Sequence, residues 1–149
     1  MSAADLVLRP ITRDNWRDVA DLQVLEAQRP FVSPVSRYLC VCLYGGQWNP
    51  VGAYDGDDAV GFGMWGFDPE ETSHWLGGVL VPADRQGRGY GRALVAALID
   101  LVKQQAGCHE IALSYQPSNT IAQRLYASFG FSETGQVEGD EVIARLRVA

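Results

Sequence analysis

The chain has 149 residues and a net charge of −6; 47% of its residues are hydrophobic, 20% charged and 10% aromatic. That is about the length of one domain, 1–149, with enough chain to bury a core, and the composition excludes a disordered chain, a coiled coil and a collagen-like repeat. No apolar run approaches the roughly 18 residues of a membrane span, no basic-then-apolar leader opens the sequence, and an acidic chain is a poor general binder of nucleic acid, so a cytoplasmic protein is expected with no membrane or nucleic-acid partner.

Residues 5–11 alternate weakly and predict a first strand. Thr12, Asp14 and Asn15 offer N-caps for a helix over 16–27. Pro30 and Pro34 bracket a turn. A second helix is predicted over 35–43, ended by Gly45 and Gly46. Strands at 50–54 and 59–67 flank the hairpin turn Asp55-Gly56-Asp57-Asp58. After the turn at 68–71, residues 73–81 form a strand apolar enough to be buried on both faces. Tyr90, Leu94, Ala97, Leu98 and Leu101 then recur at helical spacing within 89–105, and Gly107 caps that helix. A strand at 110–114 leads to the helix start Pro117-Ser118-Asn119. Ile121, Ala122, Leu125, Tyr126 and Phe129 share one face of that helix, which Gly130 ends. Residues 131–137 and 141–147 close the chain as paired strands. This order predicts an α/β or α+β fold with a mixed sheet. Cys40, Cys42 and Cys108 are odd in number and lack metal or redox spacing, so neither a disulfide framework nor a metal site is expected.

The most informative segment is 79–92. A buried strand containing Val79, Leu80 and Val81 runs through Gln86, Gly87, Arg88, Gly89, Tyr90, Gly91 and Arg92 straight into a helix. Glycine permits positive φ and close approach of a ligand, and a helix start offers free N–H groups and a positive dipole end. Arg85, Arg88 and Arg92 add positive charge, so the turn reads as a phosphate cradle. The spacing is G-x-G-x-G, not the G-x-G-x-x-G of dinucleotide folds, and the Gly-Lys-Ser/Thr of a P-loop is absent. A glycine turn without a ligand is the plain alternative.

Gln86-Gly87-Arg88-Gly89-Tyr90-Gly91 resembles the Q/R-x-x-G-x-G/A signature of the GNAT superfamily of N-acetyltransferases. Asn119, Ala122, Leu125-Tyr126 and Phe129-Gly130-Phe131 resemble its downstream N-x-x-A-x-x-L-Y-x-x-x-G-F block. The resemblance implies a mixed, mostly antiparallel central sheet of about six to seven strands flanked by about four helices. It implies acetyl-CoA as cosubstrate and no metal. Backbone amides of the turn would hold the pyrophosphate, Val79, Leu80 and Val81 the pantetheine arm, Asn119 a further contact, and Tyr126 the role of general acid. Tyr126 suits that role chemically, since a phenol with pKa near 10 stays protonated where a thiol, near 8.5, departs. Its plain alternative is packing against Leu125 and Phe129.

An alkyl amine with pKa near 10 must lose a proton before it attacks. Glu70, Glu71 and His74 are the candidate bases, with His74 preferred for its ordinary pKa near 6.5. A water chain or a backbone carbonyl are the alternatives.

The acceptor side carries Trp16, Leu22-Gln23-Val24, Gln28-Arg29-Pro30-Phe31-Val32, Trp48-Asn49-Pro50 and Leu113-Ser114-Tyr115-Gln116-Pro117. Together with the glycine turn these resemble bacterial spermine/spermidine (diamine) acetyltransferases. Gly77-Gly78 and Pro82 depart from that pattern, standing where such relatives carry a basic residue and an Asp. The resemblance implies direct attack by a primary amine of a polyamine on acetyl-CoA. Glu26, Phe31, Glu71 and Trp75 are the candidate acceptor-binding residues, with Asp55, Asp57 and Glu70 as further acidic contributors. An aminoglycoside, an amino acid or a protein amine remain as other acceptors, as does a non-catalytic acetyl-CoA sensor. A homodimer stays open, with the carboxy-terminal strands as the free edge.

Overall fold

The computed structural model describes residues 3–148. Seven strands form one sheet in the order β1-β2-β3-β4-β5-β7-β6. They are β1 Val7–Pro10, β2 Trp48–Asp55, β3 Asp58–Asp68, β4 Ser73–Leu80, β5 Glu110–Tyr115, β6 Ser132–Glu138 and β7 Glu141–Arg147. All neighbours are antiparallel except β4 and β5, which are parallel. The four α-helices are α1 Arg17–Ala20, α2 Val35–Tyr44, α3 Tyr90–Lys103 and α4 Thr120–Ser128. The mixed, mostly antiparallel sheet and its four helices match the expected fold class.

The two sides of the sheet bury different partners. Leu94, Val95, Leu98, Ile99 and Val102 of α3 are buried together with Val51, Val60, Leu76, Ile111 and Leu113. Their 3.6-residue recurrence is the stripe that makes α3 a core helix. Val19 of α1 and Val35 of α2 pack in a second cluster with Phe62, Met64 and Leu80. Among the described residues no helix is long and apolar enough to cross a membrane.

Residues 16–27 do not form the single helix that their capping signals suggest. Only Arg17–Ala20 is α-helical, and a 3-10 segment covers Glu26–Phe31. Between them the Gln23 carbonyl accepts the Ala83 amide at 2.8 Å, tying this stretch to the chain just beyond β4. Leu25 then donates its amide to Gln28 Oε1, and Pro30 lies inside the 3-10 segment, where an α-helical hydrogen bond would lack its donor. The capping residues work locally instead: Asn15 Oδ1 accepts the Thr12 amide at 2.7 Å.

β4 also departs from expectation. Ser73, His74, Leu76 and Leu80 are buried, but Trp75, Gly77, Gly78 and Val79 are only half-buried. One stretch of the strand therefore faces an opening rather than core.

Candidate functional site

That opening lies between the two parallel strands. β4 and β5 pair only at His74↔Ile111 and Trp75↔Ala112, then part. Beyond Trp75 the backbone groups on β4's β5 side lose their ladder partner, so a ligand or water must satisfy them. On its other side β4 bulges against β3: Met64 pairs Gly77, yet Phe62 pairs Leu80, two residues against three. Gly78 sits in that bulge at φ 59°, a conformation open to glycine. This explains the unusual Gly77-Gly78 pair. A Cβ on Gly77 would stand 3.1 Å from the Trp48 indole, so glycine is also what lets Trp48 lie over the strand.

The parted strands enclose a cleft of about 230 Å³. Gly77, Gly78 and Val79 line one wall, Leu113, Ser114 and Tyr115 another, and Asn119, Ala122 and Tyr126 of the α4 region a third. Phe31, Tyr38, Trp48 and Trp75 close it toward the helices α1 and α2. Glu138 and Glu141 complete the lining at the turn between β6 and β7. A second hollow of about 270 Å³ shares Trp48, Trp75 and Glu138 and adds Gln47, Gly66, Phe67 and Asp68.

Tyr126 is buried by Tyr115, stacked with centroids 5.9 Å apart, and by Phe131, edge-on at 5.9 Å. Burial, with Tyr38 and Tyr115 nearby, pushes its phenol further above its ordinary value, so it stays protonated. Among the described residues its hydroxyl has no hydrogen-bond partner, although the side chain lines the cleft. One residue thus both packs the core and lines the cleft. Asn119 is the N-cap of α4: its Oδ1 accepts the Ala122 amide at 3.3 Å, which leaves the side-chain NH₂ to the cleft. Ser114 donates to Glu141 Oε1 at 2.7 Å and so orients that carboxylate.

At the amino end of α3, Gly87 and Gly89 take φ 78° and 84°, and Gly89 is the N-cap. The amides of the first turn, at Tyr90, Gly91 and Arg92, have no intrahelical acceptor. Added to the dipole of a 14-residue helix, they form an anion-binding concavity. Arg88 is exposed there with no ion-pair partner among the described residues. Arg85 instead pairs with Asp58 at 3.6 Å, and Arg92 donates to Ser128 Oγ at 3.1 Å, bridging α3 to α4. Gln86 braces the turn from below, donating to the Val81 carbonyl at 2.9 Å and to Gln28 Oε1 at 2.7 Å.

Several sequence-derived candidates lie elsewhere or are otherwise engaged. Tyr90 turns its ring into the core and donates to Asp55 at 2.6 Å, so only its backbone faces the turn. Asp55, read as an acceptor-side charge, is that buried partner; Asp57 is exposed on the same hairpin. Glu71 is tied up by Arg145 at 3.1 Å and by the Trp75 indole N–H at 3.2 Å. Glu26 is exposed and lines neither hollow. Phe31 and Trp75 do line the cleft.

His74 is the main correction. It precedes the stretch of β4, from Trp75 to Val79, that lines the cleft, and is not itself among the lining residues. It is buried beside Phe67, centroids 4.9 Å apart, and its Nδ1 has no hydrogen-bond partner among the described residues. Burial and the nearby His109 hold its pKa below the ordinary 6.5. The ring is absent from the lining of both the cleft and the adjoining hollow, which gives it no direct contact with an amine bound there.

Glu138, Glu141 and Tyr38 were not among the sequence-derived candidates, and Trp48 and Ser114 entered only as part of the acceptor-side pattern. The register explains the two carboxylates. β7 inserts between β5 and β6, with Tyr115 opposite Val142, which sets Glu141 beside Ser114. In the sequence, Glu138-Gly139-Asp140-Glu141 is only a charged hairpin turn.

Known proteins resemble this chain in sequence and in fold. The family described as "Acetyltransferase (GNAT) family" matches residues 16–131. The spermine/spermidine N(1)-acetyltransferase of Bacillus subtilis (strain 168) is 31% identical over 150 residues, covering 93% of this chain and 96% of that protein. Among solved structures, an aminoglycoside acetyltransferase in complex with coenzyme A and kanamycin superposes with TM-score 0.79 at 19% identity, covering 95% of this chain and 94% of that one. The spermidine N-acetyltransferase from Vibrio cholerae, in complex with CoA and spermine, superposes with TM-score 0.74 at 18% identity, covering 97% and 95%.

Proposed function

The chain belongs to the GNAT acetyltransferase family and is an N-acetyltransferase; from that premise we propose that it moves the acetyl group of acetyl-CoA by direct attack to a primary amine of a small polyamine such as spermidine or spermine. One observation carries the acceptor: among the described residues, the charged side chains lining the cleft and its adjoining hollow are all carboxylates, Asp68, Glu138 and Glu141. Trp48, Trp75 and Tyr38 stand among them, and aromatic faces attract cations. The Bacillus relative, named for spermine and spermidine, supports the same class.

Acetyl-CoA fits the remaining features. The glycine turn and Arg88 suit a pyrophosphate, and the unpaired edge of β4 suits the amides of a pantetheine arm. Acetyl-CoA supplies a thioester carbonyl carbon, to which the amine nitrogen bonds as the carbon–sulfur bond breaks. Glu138 and Glu141 draw the ammonium to the cleft. Exposed Glu138 gives the ammonium proton a route to solvent, leaving the neutral amine that attacks. Tyr126 donates its hydroxyl proton to the departing sulfur, so CoA leaves as a thiol, and the proton the nitrogen sheds on becoming an amide returns through solvent to restore the phenol. Asn119, fixed by its cap, orients the chain that lies across the opening of α4.

The test mixes the protein with acetyl-CoA and a panel of spermidine, spermine, putrescine, lysine, kanamycin and a peptide. Product is read by mass, because the three free cysteines would confound a thiol dye. Acetylated polyamine is the expected product. Product from kanamycin, lysine or peptide alone would sink the polyamine reading and leave the acetyltransferase.

A further inference from the structure

The hollow beside the cleft is built, not incidental. Its floor depends on Gly66, where a Cβ would stand 2.5 Å from the Gln47 carbonyl oxygen, and on Gly77, where one would press on the Trp48 indole. Two glycines thus let the 47–48 backbone and the Trp48 ring approach β3 and β4. Trp75 is held upright by its N–H bond to Glu71. Asp68 is fixed at the rim: its Oδ1 accepts the Glu70 amide at 2.9 Å, and its Oδ2 has no partner among the described residues. Glu138, also without a partner among the described residues, borders both the hollow and the cleft.

The nearby cation does not cancel this field. Arg145 lies 5.5 Å from the Trp75 ring centre, but it is paired to Glu71 at 3.1 Å and to Glu110 at 2.8 Å. Together Arg145, Glu71 and Glu110 sum to one negative charge. A positive group in the hollow therefore meets two indoles and the carboxylates of Asp68 and Glu138.

We propose that the hollow lined by Trp48, Trp75, Phe67 and Asp68 is a second cation subsite, which takes the distal ammonium of an acceptor whose first amine reacts in the cleft. The inference rests on the polyamine reading above and deepens it, because it requires an acceptor with two amines on one flexible chain. Glu138 stands between the two positions and faces the methylene linker or a middle amine. A monoamine fills only the cleft and forfeits the subsite.

The test compares steady-state kinetics on spermidine and on n-butylamine for the native chain, Asp68→Asn, Asp68→Lys and Asp68→Glu. Asn keeps the oxygen that accepts the Glu70 amide, so the turn is retained, and melting temperatures check this. The native enzyme is expected to prefer spermidine. The spermidine-to-butylamine ratio of kcat/KM should fall about three- to tenfold in Asp68→Asn, carried by KM, which is the range of a partly exposed charge pair reinforced by aromatic faces. It should fall further in Asp68→Lys and recover in Asp68→Glu. An unchanged ratio in Asp68→Lys, or equal native efficiency on both amines, would overturn the subsite while leaving polyamine acetylation in place. No product from any polyamine would overturn both.

Discussion

The two ends of the cleft are built in different ways. The end that suits acetyl-CoA comes mostly from one contiguous stretch, β4, the glycine turn and the first turn of α3, which the start of α4 joins from further along the chain. The end that suits the acceptor is assembled from Phe31, Trp48, Trp75, Glu138 and Glu141, which four separate stretches of chain supply. A ligand common to a whole family can be held by backbone amides and positive-φ glycines, which a short motif encodes. A ligand particular to one member is held by side chains that only the folded sheet brings together. The cofactor end should therefore respond to substitution alike for every acceptor, and the acceptor end only for cations.

The largest effect should come from the residue that serves both ends. Tyr126→Phe removes a hydroxyl that bonds nothing among the described residues, so the fold should be retained. Loss of a general acid is expected to lower kcat about a hundredfold or more on every amine, with the KM for acetyl-CoA little changed. Product formation by mass gives kcat; a normal kcat would remove Tyr126 from the chemistry.

Gly89→Val strikes the cofactor end alone. A β-branched residue at φ 84° costs about 1–2 kcal/mol and disturbs the N-cap of α3. Calorimetry should show CoA binding weakened by about tenfold, the equivalent of 1.4 kcal/mol. The effect should be the same whichever amine is then acetylated. A variant that lost only one acceptor would break the division between the ends.

The smallest effect concerns a residue belonging to neither end. His74 has its pKa held below the ordinary 6.5 by burial and by His109. As pH falls below that value the unfolded chain takes up a proton that the folded chain refuses, so folded stability declines with acidification. His74→Leu should flatten the dependence of Tm on pH across that range. The pH profile of kcat should keep its shape, because the ring does not line the cleft; a profile that lost its acidic limb would restore His74 as the base.

The helix α3 was legible in the sequence because its apolar stripe is long and a glycine turn leads straight into it. Tyr126 and Asn119 stood out through the resemblance of residues 119–131 to a family block, and both line the cleft. Residues 16–27 were misread because the Ala83–Gln23 hydrogen bond, a contact between distant stretches, overrides local capping. His74 was misread because its suitable chemistry says nothing of which stretch of β4 lines the cleft. Glu138 and Glu141 were invisible as site residues, since only the insertion of β7 beside β5 carries their turn to the mouth of the cleft.

The most direct test is the double variant Glu138→Gln/Glu141→Gln, assayed for the KM of spermidine and the KM of acetyl-CoA in the same experiment. Loss of two carboxylates facing a cation should raise the KM for spermidine by about tenfold or more, and leave the KM for acetyl-CoA within about twofold. An unchanged KM for spermidine, or a parallel rise in both constants, would contradict an acceptor held by charge at its own end of the cleft.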